Sequence, residues 1–299
     1  MNRRTTGVAL ALTTALVSGV SVYVNGRAVK HFGDATVYTT AKNGVAGLLL
    51  VALALVPVRG DAARFRLGPR RLGRVVLVAI VGGSVPFVLF FEGLARAEAT
   101  QAGFIQKTLV VWVALLAVPL LRERFGWAHA LSIVLLLAGQ AWLVGHAGTI
   151  AFGSGEAMIL AATLLWAVEV VYVKHLLREL PPHVLAACRM ALGTGILLAW
   201  VAVGGRFGQL ASLSAEQWRW VVLTGLLLTA YVATWYAALA RAQAVDVTAV
   251  LVLGAVVTAT LSGAVDGAAV SAAGIALVTA GAAVAAALAL RRRAPVPAR

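Results

Sequence analysis

Four ionisable side chains stand well inside long apolar stretches of this sequence: Lys42, Lys107, Glu169 and Arg189. A charge in such surroundings is costly unless it is paired, hydrated or put to use. Lys42, with Asn43 beside it, lies about 12 Å from the nearer end of its stretch at roughly 1.5 Å per residue. Lys107 sits at a similar depth, next to Gln106 and close after Gln101. An ammonium held there and facing a polar cavity attracts an anionic group such as a carboxylate. The competing reading is that each lysine bonds backbone carbonyls within a packed bundle. Glu169 and Arg189 offer an ion pair joining two segments or, with Glu169 alone, a proton carrier. Three positive groups against one negative suit an anionic or zwitterionic small molecule better than a lipophilic cation.

Aromatic residues gather near these charges. Tyr231, Trp235 and Tyr236 in one stretch, and Phe87, Phe90 and Phe91 in another, could stack on a substrate or simply pack a core. Trp166 beside Glu169 carries the same two readings. Gly82-Gly83-Ser84-Val85-Pro86 should weaken a helix, because proline supplies no backbone N–H, and Gly83 with Pro86 marks a candidate hinge. Glu92, Glu98, Glu123, Asp246 and Asp266 fall near the ends of apolar stretches and read as interfacial. The five histidines show no metal-ligand spacing, Cys188 is the single cysteine, and no phosphate-binding loop is present. No metal, no cofactor and no direct use of ATP is therefore expected.

The elements that must hold these residues follow from composition. The chain has 299 residues, 61% of them hydrophobic and 12% charged, with a mean hydropathy of +0.93. Water cannot accommodate so much apolar surface, whereas a lipid bilayer can, in spans of about 20 residues. Ten such spans are expected, over 7–24, 35–58, 75–94, 99–121, 127–144, 157–173, 184–203, 218–239, 245–265 and 268–290. The runs lack the short alternation of an outer-membrane barrel, so the expectation is an all-α integral membrane protein. The first residues could pass for a secretory signal, but nine further spans follow, and the first is read as an uncleaved helix.

The net charge of +14 does not point to nucleic acid, because the basic residues cluster in the short gaps between spans. With the N-terminus in the cytoplasm, seventeen Lys and Arg fall on the inner side and five on the outer. That bias puts both termini in the cytoplasm. Arginine outnumbers lysine 21 to 4, a composition suited to a GC-rich bacterial genome. The expected location is the cell membrane, multi-pass, and specifically a bacterial inner membrane. The sequence carries no signal for an oligomeric state.

The chain also repeats itself. Leu94-Ala95-Arg96-Ala97-Glu98-Ala99 returns as Leu239-Ala240-Arg241-Ala242-Gln243-Ala244, 145 residues later. Val22-Tyr23-Val24 returns as Val171-Tyr172-Val173, and Lys42 corresponds to Arg189. The halves are 1–148, holding spans one to five, and 149–299, holding spans six to ten and a basic tail. Five is odd, so the second half enters the membrane upside down. Inverted repeats are a recurring plan of secondary transporters, with the substrate site near the midplane between the halves. A central cavity is expected between spans one to four and six to nine, with spans five and ten packed outside.

Several features resemble the EamA-type branch of the drug/metabolite transporter superfamily. They are the two five-helix halves, the Phe-rich end of span three leading to Gly93-Leu94, and Ala99 and Ala102 opening span four. Leu120-Leu121-Arg122-Glu123-Arg124 closes span four, Asp266 takes the equivalent place in the second half, and Arg189 matches a basic residue early in span seven. The resemblance spans essentially the whole chain. It implies transport of a small organic solute by alternating access, with export of amino acids or related metabolites as the leading expectation. A membrane-embedded enzyme or a channel is the alternative. Relatives carry a proline about thirteen residues before the acid; here Val110 and Leu253 stand there, so nothing in the sequence demands a helix break at those points.

Overall fold

A computed structural model describes residues 3–56, 68–97, 99–143 and 152–291. Among the described residues the secondary structure is entirely helical. This is the outcome lipid demands, since a helix satisfies its own backbone groups where no water can. The helices are α1 (Arg3–Ala28), α2 (Ala35–Leu55), α3 (Pro69–Leu94), α4 in two pieces (α4a, Ala99–Lys107, and α4b, Leu109–Leu121) and α5 (Trp127–Leu143). There follow α6 (Ser154–Leu176), α7 (Pro182–Val203), α8 (Ala215–Leu239), α9 in two pieces (α9a, Ala244–Leu251, and α9b, Gly254–Asp266) and α10 (Ala272–Arg291). Nine of these are long and apolar enough to cross a membrane. The tenth, α5, has 17 described residues. It is about 25 Å long at 1.5 Å per residue, a little under the roughly 30 Å hydrocarbon core.

Helix starts carry their own signals. The Asp34 carboxylate caps α2, accepting from Thr36 N at 2.8 Å and Val37 N at 2.9 Å, and its other oxygen accepts from Arg206 at 3.0 Å. Burial acts to raise the Asp34 carboxyl, but the Val37 N–H and the Arg206 guanidinium outweigh it and hold the group below its usual range. Ser214 and Gln217 form a reciprocal cap on α8, with bonds of 2.9 and 3.2 Å. Pro69 and Pro182 open α3 and α7, where a missing N–H costs nothing.

Three helices are irregular. Helix α3 contains a π segment over Ala79–Ser84. Helices α4 and α9 break at points where no proline stands to break them. The reason in α4 is Thr108, whose hydroxyl donates to Ile105 O at 2.6 Å and accepts from Trp112 Nε1 at 3.1 Å. Around it the backbone tightens, with Val111 N bonding Thr108 O at 2.8 Å. In α9 a similar tightening runs through Leu253 N to Val250 O at 3.1 Å and Ala255 N to Val252 O at 2.9 Å. There Gly254 lets α9 lie directly on α1: a Cβ on Gly254 would fall 2.8 Å from Ala15 O, and one on Gly19 would fall 2.4 Å from Gly254 O.

Packing relates the halves α1–α5 and α6–α10 by an approximate two-fold. Helix α1 packs on α8 as α6 packs on α3, and α2 packs on α8 as α7 packs on the π segment of α3. Helix α1 lies along both pieces of α9, as α6 lies along both pieces of α4. Two pairs are their own counterparts, α2 with α7 and α5 with α10, whereas α4b packs on α9a and the equivalent pieces α9b and α4a lie against α1 and α6. Even the helix ends match, since α4 stops at Arg122 (φ 54°) and α9 at Gly267 (φ 68°), both left-handed. An odd number of helices per half makes this an inverted repeat.

The α5–α10 pair is built on small residues. Cβ atoms on Gly139, Gly274 and Gly281 would fall 2.6 Å from Val278 N, 2.9 Å from Leu143 N and 2.9 Å from Ser132 O. Ser132 Oγ donates to Gly281 O at 2.7 Å. Gly139→Leu should therefore lower the thermal midpoint and the monodisperse yield of detergent-solubilised protein, by an overpacking cost of about 1–3 kcal/mol. Gly195→Ala, where a Cβ meets nothing within 4 Å, is the control and should leave the midpoint unchanged or slightly raised.

Candidate functional site

A cavity of about 160 Å³ lies between the halves. Helices α1–α4 and α6–α9 line it, and neither α5 nor α10 contributes. Seven aromatic side chains (Phe87, Phe90, Phe91, Trp166, Tyr231, Trp235 and Tyr236) form much of its wall. Of the residues singled out by sequence, Lys42, Gln106, Lys107, Glu169, Arg189, Tyr231 and Trp235 all reach this one cavity. Asn43, Gly83 and Pro86 are not among its lining. Asn43 is buried in the bundle, where its Nδ2 donates to Thr39 O at 2.7 Å and its Oδ1 meets no partner among the described residues.

Proline chemistry builds the first charged cluster. Pro86 has no N–H to give the carbonyl of Gly82, four residues before it. That carbonyl accepts instead from Arg189 Nη2 at 2.7 Å and from Trp166 Nε1 at 3.2 Å. Arg189 in turn donates to Glu169 through Nε at 2.5 Å and Nη2 at 3.2 Å, and Tyr236 Oη donates to the same carboxylate at 2.7 Å. The ion pair, rather than an isolated Glu169, is thus what the fold assembles. Two glycines make the approach possible. A Cβ on Gly82 would lie 2.1 Å from the Glu169 carboxyl carbon, and one on Gly83 would lie 2.7 Å from Arg189 O. Gly83 therefore sits at a close crossing of α3 and α7, and Pro86 at the start of the regular helix that follows the π segment.

The second cluster surrounds Lys42, which occupies the place in the first half that Arg189 takes in the second. Its Nζ donates to Asn25 Oδ1 at 2.7 Å and lies 3.7 Å from the centre of the Phe91 ring. Tyr38 Oη donates to the same Asn25 oxygen at 2.6 Å. Among the described residues no carboxylate answers Lys42 as Glu169 answers Arg189. Asn25 and Tyr38 were missed in the sequence. The repeat held a clue to Asn25, which falls where Lys174 stands in the second half.

The third group is Lys107 with Gln106, at the end of α4a beside the break. Lys107 is 7% exposed, and no hydrogen bond or ion pair involves its ammonium among the described residues. Gln106 Oε1 is likewise buried without a partner. The break at Thr108 puts both at the mouth between α4a and α4b.

The two ends of the cavity differ. Toward the face that bears both chain ends, α4b packs on α9a. There the Glu123 carboxylate accepts from Ala244 N at 2.7 Å and Val245 N at 3.1 Å, clamping the N-terminus of α9a. Burial pushes the Glu123 carboxyl up, opposed by those two N–H groups and by Lys174. Lys174 Nζ donates to Leu239 O and Ala242 O, and Thr14 Oγ1 bonds Thr234 Oγ1 at 2.9 Å. Toward the opposite face α4a follows α6 while α9b follows α1. The cavity extends between them to Gly26, Leu94 and Ala102. Asp266, the counterpart of Glu123, pairs there with Arg27 and accepts from Tyr23 Oη at 3.5 Å. Glu123 and Asp246, read from sequence as interfacial, are in fact buried, because α4b and α9a meet over them. Glu98 lies outside the residues with described side chains.

The Glu169–Arg189 pair gives a test of its own. Removing one member leaves the other charged and buried, so Arg189→Met or Glu169→Leu alone should cost about 3–5 kcal/mol of stability. The double replacement should recover much of that loss in thermal unfolding of the purified protein. Additive losses would show that the two residues do not act as a unit.

Comparison with known proteins accords with this geometry. The model of the EamA-like transporter family matches residues 5–145 and again 153–290. An uncharacterized transporter of Methanothermobacter thermautotrophicus is 26% identical over 136 residues, covering 44% of this chain and 40% of the relative. An uncharacterized transporter of Synechocystis sp. is 23% identical over 186 residues, covering 58% of this chain and 52% of the relative. The matches thus span about half the length of those relatives or less. A protein of solved crystal structure shares the fold over 96% of this chain and 98% of its own, with a TM-score of 0.77 at 21% identity. Matched once in each half by the same family model, this chain belongs to the EamA-like transporter family.

Proposed function

We propose that this protein is a secondary carrier that exports a small carboxylate-bearing solute, an amino acid or related metabolite, by alternating access. The observation that carries the reading is Lys107: an ammonium in a cavity between inverted halves, without a protein partner among the described residues. Such a group is stabilised when a substrate anion enters beside it. Glu169, the one carboxylate among the described lining residues, is held by Arg189 and Tyr236 and so is not poised as a free acid or base.

The inverted repeat supplies the second state. Exchanging the roles of the halves would release Glu123 from α9a and bring Asp266 over the N-terminus of α4a, closing the opposite face. The excess of basic residues assigns the face with both termini to the cytoplasm of a bacterial inner membrane. The described state is then closed inward. Reporter fusions after Val58 and Val144, both outside the described residues, should report cytoplasm and exterior; matching compartments would refute this orientation.

The transport test uses proteoliposomes and a panel of radiolabelled amino acids and organic acids. Lys107→Met should reduce flux of the transported solute by roughly tenfold or more at normal protein abundance, and Lys107→Arg should keep part of it. Wild-type flux in the Met variant would make Lys107 structural. Glu123→Gln weakens the clamp and, in a Cys188→Ala background with one cysteine introduced at the cavity-lining Ser18, should raise labelling of that cysteine from the side bearing the termini. Unchanged labelling would remove Glu123 from the gate.

A further inference from the structure

The cavity's charges are distributed unevenly, and the distribution bears on which carboxylates fit. We infer that, within the carrier reading above and resting on it, the site prefers an aromatic carboxylate that lacks an ammonium group over the corresponding amino acid. An amino acid brings two charges into the cavity, and each needs an answer. Its carboxylate has one in Lys107, whose ammonium is unpaired among the described residues. Lys42 adds positive potential, though Asn25 and the Phe91 ring already engage it.

The ammonium of an amino acid has no free carboxylate to answer it among the described lining residues, only neutral acceptors such as the unpartnered Gln106 Oε1. Glu169 is the one carboxylate among the described lining residues. Its Oε1 already accepts from Arg189 at 2.5 Å and from Tyr236 at 2.7 Å, and its Oε2 from Arg189 at 3.2 Å. The backbone of α3 also lies against it, so close that a Cβ on Gly82 would fall 2.1 Å from its carboxyl carbon. Neither net charge nor space is left for a second cation. With Lys42, Lys107 and Arg189 set against Glu169, the lining carries a surplus of positive groups. That surplus attracts an anion and opposes the ammonium of a zwitterion.

The rest of the solute meets rings. Phe90 and Trp166 stand 5.5 Å apart between centroids, and Tyr231 and Trp235 stack at 6.0 Å with an interplanar angle of 11°. Phe90, Trp166 and Tyr231 are only partly buried. They leave apolar faces on which a flat ring can stack. Room for an aromatic ring, with one unpaired cation and no free anion among the described lining residues, together describe an arylalkyl carboxylate.

The test holds the ring constant and varies the charge. 3-Phenylpropanoate, L-phenylalanine, 2-phenylethylamine and uncharged 3-phenylpropanol are titrated into purified protein by calorimetry. The propanoate should bind tighter than phenylalanine by on the order of tenfold, with the amine weakest. Lys107→Met should weaken the propanoate by a similar factor and leave 3-phenylpropanol unchanged, which a fold defect would not do. Phenylalanine binding as tightly as the propanoate, or a Met variant that keeps the original order, would overturn the inference. So would failure of all four probes to bind. In each of those cases the proteoliposome panel judges the carrier reading separately, since flux of an aliphatic or zwitterionic solute would uphold transport and reject only the substrate class.

Discussion

The contact on which this architecture turns is the guanidinium of Arg189, which joins three helices at one point. It holds the carboxylate of Glu169 on α6 and the carbonyl of Gly82 on α3, from its own place on α7. Inside a bilayer no water can satisfy that carbonyl, which Pro86 leaves without an N–H partner four residues later. The charged pair and the interrupted helix therefore need one another. Trp166 and Tyr236 complete the same junction with their own donors. What remains of the cavity is shaped around this fixed wall.

The first half cannot copy the junction. Lys42 stands in the equivalent place, but α1 offers it an amide, Asn25, where α6 offers Arg189 a carboxylate. One half of the repeat is thus electrically closed and the other keeps a positive surplus. Structural symmetry with chemical asymmetry is what a site for an asymmetric solute requires. In the proposed carrier the two-fold would supply interchangeable gates, and the broken pairing would supply a charged side toward which a substrate is oriented.

The breaks in α4 and α9 serve both purposes. On the side of the chain termini α4b and α9a pack together under the Glu123 clamp, and beyond the breaks α4a and α9b diverge toward α6 and α1. Lys107 lies at the point of divergence.

Much of this was legible in the amino-acid sequence. Hydropathy set the number and approximate bounds of the helices because lipid permits so few alternatives. The recurrence of Leu-Ala-Arg-Ala and Val-Tyr-Val exposed the repeat, and an odd number of spans made it inverted. The charges that matter stood out because buried charge is rare. Pairing was another matter. That Arg189 meets Glu169 and Gly82 while Lys42 meets Asn25 depends on which helix faces which, and hydropathy is blind to helix rotation. The breaks at Thr108 and Leu253 were hidden too, since no proline marks them. They arise from a threonine hydroxyl competing for the backbone and from glycines that let α1 touch α9. Asp246 and Glu123 looked interfacial because distance along a helix was all the sequence offered, and only the meeting of α4b with α9a buried them. One-dimensional pattern fixed what each segment must be, because solvent acts on every residue alike; three-dimensional contact decided what each charge does, because electrostatics acts only between neighbours.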